Sequence, residues 1–514
     1  MSITDSEYLA WLTDQRSERA LLVEIEYKDN VSEQTAYMAT RAYVSHPGDT
    51  ISNQDYPAII KSVPVFSGRR GSGLNWGSID IVNNGDLDVW LEYAFDNRSV
   101  TIALGDPSWS RDDFRELELK TTKQGLIAPD KSTLRLFFYD ASGDLDKPVQ
   151  SSLLDDGKPI PLCYGDCFNI TPAFLGEDAS GAHYQVHDGS VDSITVRSGG
   201  ASVAGVTTDV TNGKFSINPA PTSGITCDVV NSTYSTAAEI IEEIITGPLG
   251  ISAARINSTS FAAFREYGLG VYVKDRVNAA QLIDGIAASA GGYFDADIAG
   301  LFFLWTDDIP DASDAADAEI DYRGFIQEDG FSLAAVSPAI SKIRIQYQKN
   351  YTHQDASGLF TSVSTANRDL YSGNGQFEEL DQTIDYSGAL EYPEPSESYI
   401  VSSLDASSEA SRKLAQFAIP QKEFQVVSYY DPAVITLGDV IKITHPRFGF
   451  SVGVNARIIG IEWTPTQRMC KYTVVANGAF CDEYEALQDL YSLDTGKPYC
   501  QNDINTENIL SIIL

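Results

Sequence analysis

The sequence has few basic residues. Its 514 residues include 36 lysines and arginines against 72 aspartates and glutamates, which gives a formal net charge of −36. Proteins bind nucleic-acid phosphates and anionic membranes mainly through Lys and Arg. We therefore predict no sequence-specific nucleic-acid binding. A need for solubility is enough to explain this many carboxylates, and the alternative is that the charge has a specific function.

Long apolar runs are also missing. A helix that spans a bilayer needs about 20 consecutive apolar residues, whereas the longest apolar patches here, such as 301–305, have the length of a strand. Residues 1–7 lack the basic region and the apolar core of a signal peptide. We therefore expect no stable membrane insertion, and we expect synthesis in the cytoplasm.

Cysteine is scarce, and the sequence contains no C-x-x-C pair. Zinc and iron–sulfur sites need a set of converging ligands, and their cysteines commonly come in such pairs. In a protein made in the cytoplasm, isolated cysteines are expected to be free thiols. We predict no metal site and no cofactor. The six cysteines are Cys163, Cys167, Cys227, Cys470, Cys481 and Cys500.

Histidine is equally scarce, at positions 46, 183, 187, 353 and 445. His187 precedes Asp188, a pair that can activate a nucleophile, but the sequence has no G-x-S-x-G elbow or comparable nucleophile setting. His183 and His187 are separated by a strand end and a turn, so their spacing does not place them on one face as it would on a helix. We predict no catalytic residue. Carboxylate pairs for glycoside hydrolysis stay open, because only geometry can choose among so many acids.

Two further motifs are weak. Residues 68–73, Gly-Arg-Arg-Gly-Ser-Gly, lack the Lys-Ser/Thr of a P-loop, and we interpret them as a flexible or interface loop with two arginines. Residues 140–146 have the spacing of a calcium loop, but the glycine is misplaced and Ser151 stands where the bidentate Glu belongs. We expect no calcium site there. The four candidate ligands are Asp140, Ser142, Asp144 and Asp146.

Periodicity predicts an α+β fold that is mainly β. Alternating apolar residues indicate strands around 19–139 and 343–475, and a capping box of Thr236 and Glu239 starts a helix over 237–246. Two more helices are expected near 259–267 and 278–289. Three connections are predicted between these elements. They are a two-residue hairpin turn at 188–189, a solvated acidic linker at 307–321, and a long binding or assembly loop at 350–396.

Three blocks of the sequence resemble one known family. Residues 157–172, Gly-Lys-Pro-Ile-Pro-Leu-Cys-Tyr-Gly-Asp-Cys-Phe-Asn-Ile-Thr-Pro, are followed by Tyr-Gln-Val-His-Asp-Gly at 184–189. A second block comprises 79–88 and 104–114, and a third is Leu-Gly-Asp-Val-Ile-Lys-Ile at 437–443. The sequence is similar in these blocks to the baseplate and tail-tip hub proteins of long-tailed bacteriophages.

The resemblance implies a structural protein of the virion and no enzyme. Such hubs form a homotrimeric ring from two related β-barrels per chain. Its pseudo-sixfold face meets the hexameric tail tube or distal tail protein, and its threefold face meets a central fibre or spike beside other baseplate proteins. The implied domains are a first barrel at 1–155, a small β-domain at 156–235, an α/β domain at 236–335, a second barrel at 336–478 and a docking segment at 479–514.

Three alternatives remain open within this resemblance. Tail tips carry peptidoglycan hydrolases, so the chain is alternatively a cell-envelope hydrolase. It is alternatively a receptor-binding or carbohydrate-binding module, for which the aromatic loops around Trp76 and Trp109 are the only hint. Some tail-tip proteins hold an iron–sulfur cluster, for which the last three cysteines and a further ligand are candidates. We also expect part of the acidic charge to line the DNA exit channel and repel phosphates.

Overall fold

The computed structural model describes residues 3–14, 16–71, 74–75, 77–139, 141–221, 224–297, 300–322, 326–381, 389–392, 394–429, 435–467 and 469–476. The fold of these residues is mainly β, as predicted, with a smaller share of helix. None of their helices is long and apolar enough to cross a membrane.

The N-terminal region forms a seven-stranded antiparallel sheet, called the first sheet below. A capping box between Thr4 and Glu7 starts the helix that precedes it. The elements are α1 (Asp5–Thr13), β1 (Ala20–Lys28), β2 (Glu33–Ala39), β3 (Tyr43–Val44), β4 (Asp55–Tyr56), β5 (Ile60–Ser62), β6 (Phe66–Arg69), β7 (Leu74–Asn75), β8 (Ser78–Val82), β9 (Ser99–Gly105), β10 (Arg115–Asp130) and β11 (Thr133–Tyr139). The strand order is β2-β1-β9-β10-β11-β8-β5.

The middle of the chain forms two smaller sheets, a hairpin and three helices. The elements are β12 (Leu162–Ile170), β13 (Ala173–Asp178), β14 (Gly181–Gln185), β15 (Ser193–Ser198), β16 (Ala201–Ser202), β17 (Val206–Asp209), β18 (Lys214–Ile217), β19 (Ile225–Asn231), α2 (Ala237–Thr246), α3 (Ser258–Ala262), β20 (Gly270–Val273), α4 (Ala279–Ser289), β21 (Gly292–Ala296) and β22 (Phe302–Thr306). The sheet orders are β16-β15-β19-β12-β20 and β13-β14-β18-β17, and β21 pairs with β22.

The C-terminal region forms an eight-stranded sheet, called the second sheet below, and a three-stranded sheet. The elements are β23 (Ala318–Asp321), β24 (Ile326–Ser337), β25 (Ile340–Tyr347), α5 (Thr365–Ser372), β26 (Gln376–Asp381), β27 (Leu390–Glu391), α6 (Ser403–Phe417), β28 (Gln421–Ser428), β29 (Val440–Thr444), β30 (Val454–Trp463) and β31 (Cys470–Ala476). The second sheet has the order β23-β29-β30-β31-β28-β24, with β6 joined to β30 and β7 paired to β6. The smaller sheet has the order β26-β25-β27.

Two large cores hold these layers. One core is continuous between the first and second sheets, and it also includes Tyr8 and Leu12 of α1. The other packs the apolar faces of α2 and α4 against β21, β22, β25 and α6. Burial of this much apolar area is the main driving force that fixes the arrangement.

Two of the predicted connections are wrong. The pair at 188–189 is not a hairpin turn, because β14 pairs with β13 and β18 while β15 pairs with β16 and β19 in a different sheet. The turn carries the chain between two sheets, and a local turn motif does not say which strands pair. The polar stretch 350–396 is not one long loop either, because it contains α5, β26 and β27.

Sheet membership crosses the predicted domain boundaries at 155 and 335. The second sheet takes β6 and β7 from the N-terminal region, and it begins with β23 and β24, ahead of residue 336. Conversely, β25 and α6 pack with the helices of 236–306. Pairing between strands that are distant in sequence is decided by tertiary packing, which local composition does not record.

Candidate functional site: the junction between the two large sheets

A strand from the N-terminal region completes the second sheet. β6 pairs antiparallel with the C-terminal half of β30, with Phe66 opposite Trp463 and Arg69 opposite Gly460. The rings of Phe66 and Trp463 are 5.2 Å apart, and both side chains are buried. We call this contact, β6 with Phe66 and Trp463, the apolar joint. It couples the two sheets through both a backbone ladder and buried aromatic area.

The two arginines of 68–73 belong to this joint. Arg69 and Arg70 each donate to a different carboxylate oxygen of Glu423 at 3.1 Å, and the Glu423 side chain is 9% exposed. Two guanidinium groups on one nearly buried carboxylate form charge-assisted hydrogen bonds between the two halves of the chain. The expected interface loop therefore makes an internal contact in its described part, while Ser72 and Gly73 lie outside the described residues.

Arg19 ties α1 to the second sheet. Its guanidinium donates to the carbonyl oxygens of Pro465 at 3.2 Å, Gln467 at 2.8 Å and Leu12 at 2.9 Å, and it lies over the ring of Trp11. These bonds connect a helix near the start of the chain to the β30–β31 turn. The junction is thus fixed at several points along its length.

A basic cleft of about 810 Å³ opens beside the apolar joint. Arg16, Arg19, Arg41 and Lys61 line it, with Glu18 as the acid, and the 464–467 turn forms its far wall. Arg41 pairs with Glu18 at 2.6 Å. In a chain with a net charge of −36, this cleft is a local concentration of positive charge.

A second, charged joint holds α6 against the end of β22. Arg412 donates two hydrogen bonds to Glu409, at 2.7 and 2.8 Å, and it reaches Asp307 at 2.8 Å and Asp308 at 2.9 Å. Arg265 pairs with Asp308 as well. Although burial opposes its charge, the neighbouring carboxylates of Glu409 and Asp307 hold the pKa of Arg412 above its ordinary value. We call these five residues the charged joint.

The acidic stretch 307–321 is therefore a solvated linker only in part, with residues 311–315 exposed. Besides the two carboxylates in the charged joint, its backbone carbonyls at Asp311 and Asp314 accept from Asn455 at 2.8 and 2.9 Å, and its last residues form β23 beside β29. The prediction followed the composition of the stretch, but Arg265 and Arg412, which are 43 and 104 residues from Asp308 along the chain, supply counter-charges to its first two carboxylates.

Gly291 makes the charged joint sterically possible. It follows α4 with a left-handed φ of +68°, and an added Cβ would lie 2.6 Å from Arg412 and 2.7 Å from Glu409. Any side chain at this position would strain the backbone and press on the ion pairs. The Gly-Gly ending of α4 is readable in the sequence, but its contact with α6 is not.

The two candidate catalytic histidines, His183 and His187, make separate local contacts. The His187 side chain is buried, its Nδ1 accepts from the Cys163 backbone N–H at 3.0 Å, and burial lowers its pKa to about 4. His183 lies in a hairpin, where Nε2 is 3.1 Å from both Asp178 and Ser180. A relay needs the acid and the nucleophile on opposite ring nitrogens, so this cluster has the geometry of a local hydrogen-bonded turn.

The described cysteines are free, buried thiols, as predicted. Cys163, Cys167 and Cys227 share the core of the two small sheets, and burial raises the pKa of Cys163 and Cys227 well above the ordinary value. Cys470 lies in the core of the second sheet. Within the described ranges no cluster of His, Cys, Asp or Glu has the arrangement of a metal site. Cys481 and Cys500 lie outside those ranges.

The remaining candidates are engaged in packing. Asp144 pairs with Arg255 at 3.0 Å and Asp146 accepts from Asn278 at 2.8 Å, so two of the proposed calcium ligands bind side chains. The ring of Trp109 lies 4.8 Å from that of Trp11 and is partly buried. It is not a free platform for a sugar. Asp140 and Trp76 lie outside the described residues.

The residues that matter most at the two joints escaped sequence interpretation. Phe66, Trp463, Glu423, Glu409 and Arg412 belong to no motif. The one available signal was the Arg-Arg pair at 69–70, because adjacent arginines in an otherwise acidic chain need a carboxylate partner. Sequence alone does not say that Glu423 is that partner.

Comparison with solved structures finds phage tail proteins. A 43 kDa tail protein of prophage MuSo2 from Shewanella oneidensis is 11% identical, with a TM-score of 0.40, over 90% of this chain and 99% of that chain. A tail protein from Neisseria meningitidis is 9% identical, with a TM-score of 0.41, over 90% and 98% of the two chains. Prophage tail protein gp18 from Listeria monocytogenes is 11% identical, with a TM-score of 0.39, over 92% and 99%.

The sequence resemblance and the structural comparison name the same class of protein. These TM-scores are nevertheless below the level that establishes a shared fold. No protein-family model matches the chain, and no curated protein sequence matches it significantly. The three hub-like sequence blocks map onto separate parts of the fold. Residues 157–172 supply β12, 79–88 and 104–114 belong to the first sheet and its loops, and 437–443 lead into β29 of the second sheet.

Proposed function

We propose that the chain is the structural hub of a phage tail tip or baseplate. Three copies form a ring that joins the hexameric tail tube or distal tail protein to a central fibre or spike. The observation that carries the proposal is the pair of large, mainly antiparallel sheets on one chain, fused by β6 and by one continuous core. Three chains with two such units each offer six β-units to a sixfold partner, while the ring itself stays threefold.

The junction geometry supports this role. A hub that transmits force between tube and spike needs its two β-units in a fixed relation. The apolar joint, the Arg69 and Arg70 contacts with Glu423, and Arg19 on the 464–467 turn all resist relative movement of the sheets. Contacts between copies in such an obligate ring are expected to bury well over about 2,000 Å² each.

Charge supports the proposed DNA exit channel. With a net charge of −36, a lumen lined by carboxylates repels the phosphates of passing DNA, so the DNA does not adhere. The proposed role is non-enzymatic. His187, the histidine considered for activating a nucleophile, is buried in a core, where its Nδ1 already accepts a hydrogen bond.

Native mass spectrometry of the purified full-length chain, alone and in tail preparations, tests the proposal. We expect a species of three chains that recruits a hexamer of the tube or distal tail protein. A chain that stays monomeric in both preparations would contradict the hub assignment. Cryo-electron microscopy of the same tails would check the lumen, and a neutral or basic lining would remove the channel role while leaving the ring intact.

A further inference from the structure

The outer edge of the second sheet is unusually apolar. β24 pairs on one side with β28, and among the described residues no strand pairs with its other side. Residues 331–337, Phe-Ser-Leu-Ala-Ala-Val-Ser, carry no charge. All of them except Phe331 are exposed, with Leu333 at 40% and Val336 at 54%.

Such an edge is normally protected. Native proteins place lysines, prolines or bulges on free edge strands, because a row of unpaired N–H and C=O groups recruits other strands. Within 331–337 the strand has one bulge, at Ala334, and a second irregularity precedes Phe331, while Pro338 comes only after the strand has ended. In a chain with a charge of −36, an uncharged apolar edge is the surface expected to be covered.

The same chain contains a segment that fits it. Residues 508–514, Asn-Ile-Leu-Ser-Ile-Ile-Leu, are equally uncharged and rich in β-branched isoleucine, which favours extended structure. This segment lies beyond Ala476, where the described residues end. It matches 331–337 in length, so each unpaired backbone group on the edge would have a partner.

The end of β31 lies close to this edge. Ala476 is opposite Lys422 of β28, and Lys422 is opposite Val336 of β24. The free edge is thus two strand spacings from Ala476, about 10 Å. β31 and β24 are both antiparallel to β28. A chain that leaves Ala476 therefore emerges at the Ser337 end of β24, and a strand that turns back from there runs antiparallel to β24.

We propose that residues 508–514 add to β24 of their own chain as a further antiparallel strand of the second sheet. A flexible chain of 31 residues, the number between Ala476 and Asn508, spans roughly 30 Å on average, which exceeds the distance to the edge. Because the segment is tethered, its effective concentration at the edge is on the order of millimolar. Binding is therefore independent of dilution, and it does not require the ring proposed above.

Hydrogen–deuterium exchange tests this placement. In the full-length chain, the outward-facing amides of 332–337 are expected to be protected. Truncation after Glu507 is expected to raise their exchange rates by about 10- to 100-fold, since loss of a paired strand opens those amides to solvent. The amides of β9, far from the edge, serve as the internal reference. An unchanged exchange pattern after truncation would overturn the proposal.

A point variant separates strand addition from a general effect of truncation. Ile512→Asp places a charge inside the added strand and should reproduce the loss of protection, whereas Asn505→Asp, just outside the segment, should not. The exchange is measured at low and high protein concentration. Protection that disappears on dilution would assign the edge to a neighbouring copy and overturn the intrachain placement. A trimer with an unprotected edge would contradict this inference alone.

Discussion

The apolar joint and the charged joint hold different parts of the chain together by opposite chemistry. At the first, Phe66 and Trp463 are buried together and β6 extends a backbone ladder. At the second, Arg412 gathers three carboxylates around one guanidinium. Burial of aromatic area is favourable by itself. Burial of charges is tolerated only while every partner is present.

Because of this difference, we expect the two joints to contribute differently to stability and to the alignment of the packed elements. The Phe66–Trp463 contact of the apolar joint contains no titrating group, so its contribution does not depend on pH. The charged joint contributes less net stability, because desolvation offsets most of the attraction between its charges. What it does is fix Asp307 and Asp308 beside α6, while the later residues of 307–321 are placed by pairing with β29 and by the buried side chain of Ile320. We infer that the first joint sets stability and the second sets alignment.

The largest effect is expected from Trp463→Ala. Removing a buried indole from the joint should cost about 3–5 kcal/mol of the free energy of unfolding, measured by circular dichroism during urea unfolding. Val82→Ala, at an exposed position, is the matched control and should change that free energy by less than about 0.5 kcal/mol. A loss under about 1 kcal/mol for Trp463→Ala would mean that β6 is not an integral strand of the second sheet.

Arg412→Met tests the charged joint. Glu409, whose side chain is 1% exposed, would lose its bidentate partner and keep Lys413 at 3.4 Å. The expected cost is about 3 kcal/mol, because a buried charge is left with only part of its compensation. The control is Arg41→Ala. Its partner Glu18 is 62% exposed, so the loss should stay below about 0.5 kcal/mol. Equal losses in the two variants would show that the joint is open to solvent.

The smallest expected effect is a pH dependence of the free energy of unfolding that comes from Asp439. Asp439 adjoins the acidic stretch, and burial, together with the charge of Asp317, raises its pKa to about 6 against the pull of Arg457. A raised pKa favours the protonated folded state. The stabilising contribution is complete below about pH 4 and is lost as pH rises through 6.

Asp439→Asn should remove that loss. In thermal melts between pH 4 and 8, the free energy of unfolding of the variant is expected to exceed that of the parent chain by about 1–2 kcal/mol near pH 8. The effect of Trp463→Ala, measured over the same range, should not vary with pH, since no titrating group takes part in that contact. A parallel pH profile for the parent chain and Asp439→Asn would refute the assignment.

Part of this architecture was predictable because it is local. The helix Ala237–Thr246 has the expected bounds, since its capping box and its Gly-Pro stop act within the helix itself. Free thiols at Cys163, Cys167 and Cys227 follow from their spacing and the expected compartment. The β-rich regions at both ends follow from alternation, which needs only a buried and an exposed face.

The sequence by itself determined the mainly β class, the capped helices, the acidic charge and the blocks that resemble tail hubs. Only the tertiary structure decided that β6 joins the second sheet and that the chain passes between two sheets at 188–189. It also decided that Arg412 pairs with the first two aspartates of 307–321. Each of these depends on residues tens to hundreds of positions apart. Strand pairing and buried ion pairs between distant residues form only when the chain has folded, so no local sequence pattern predicts them.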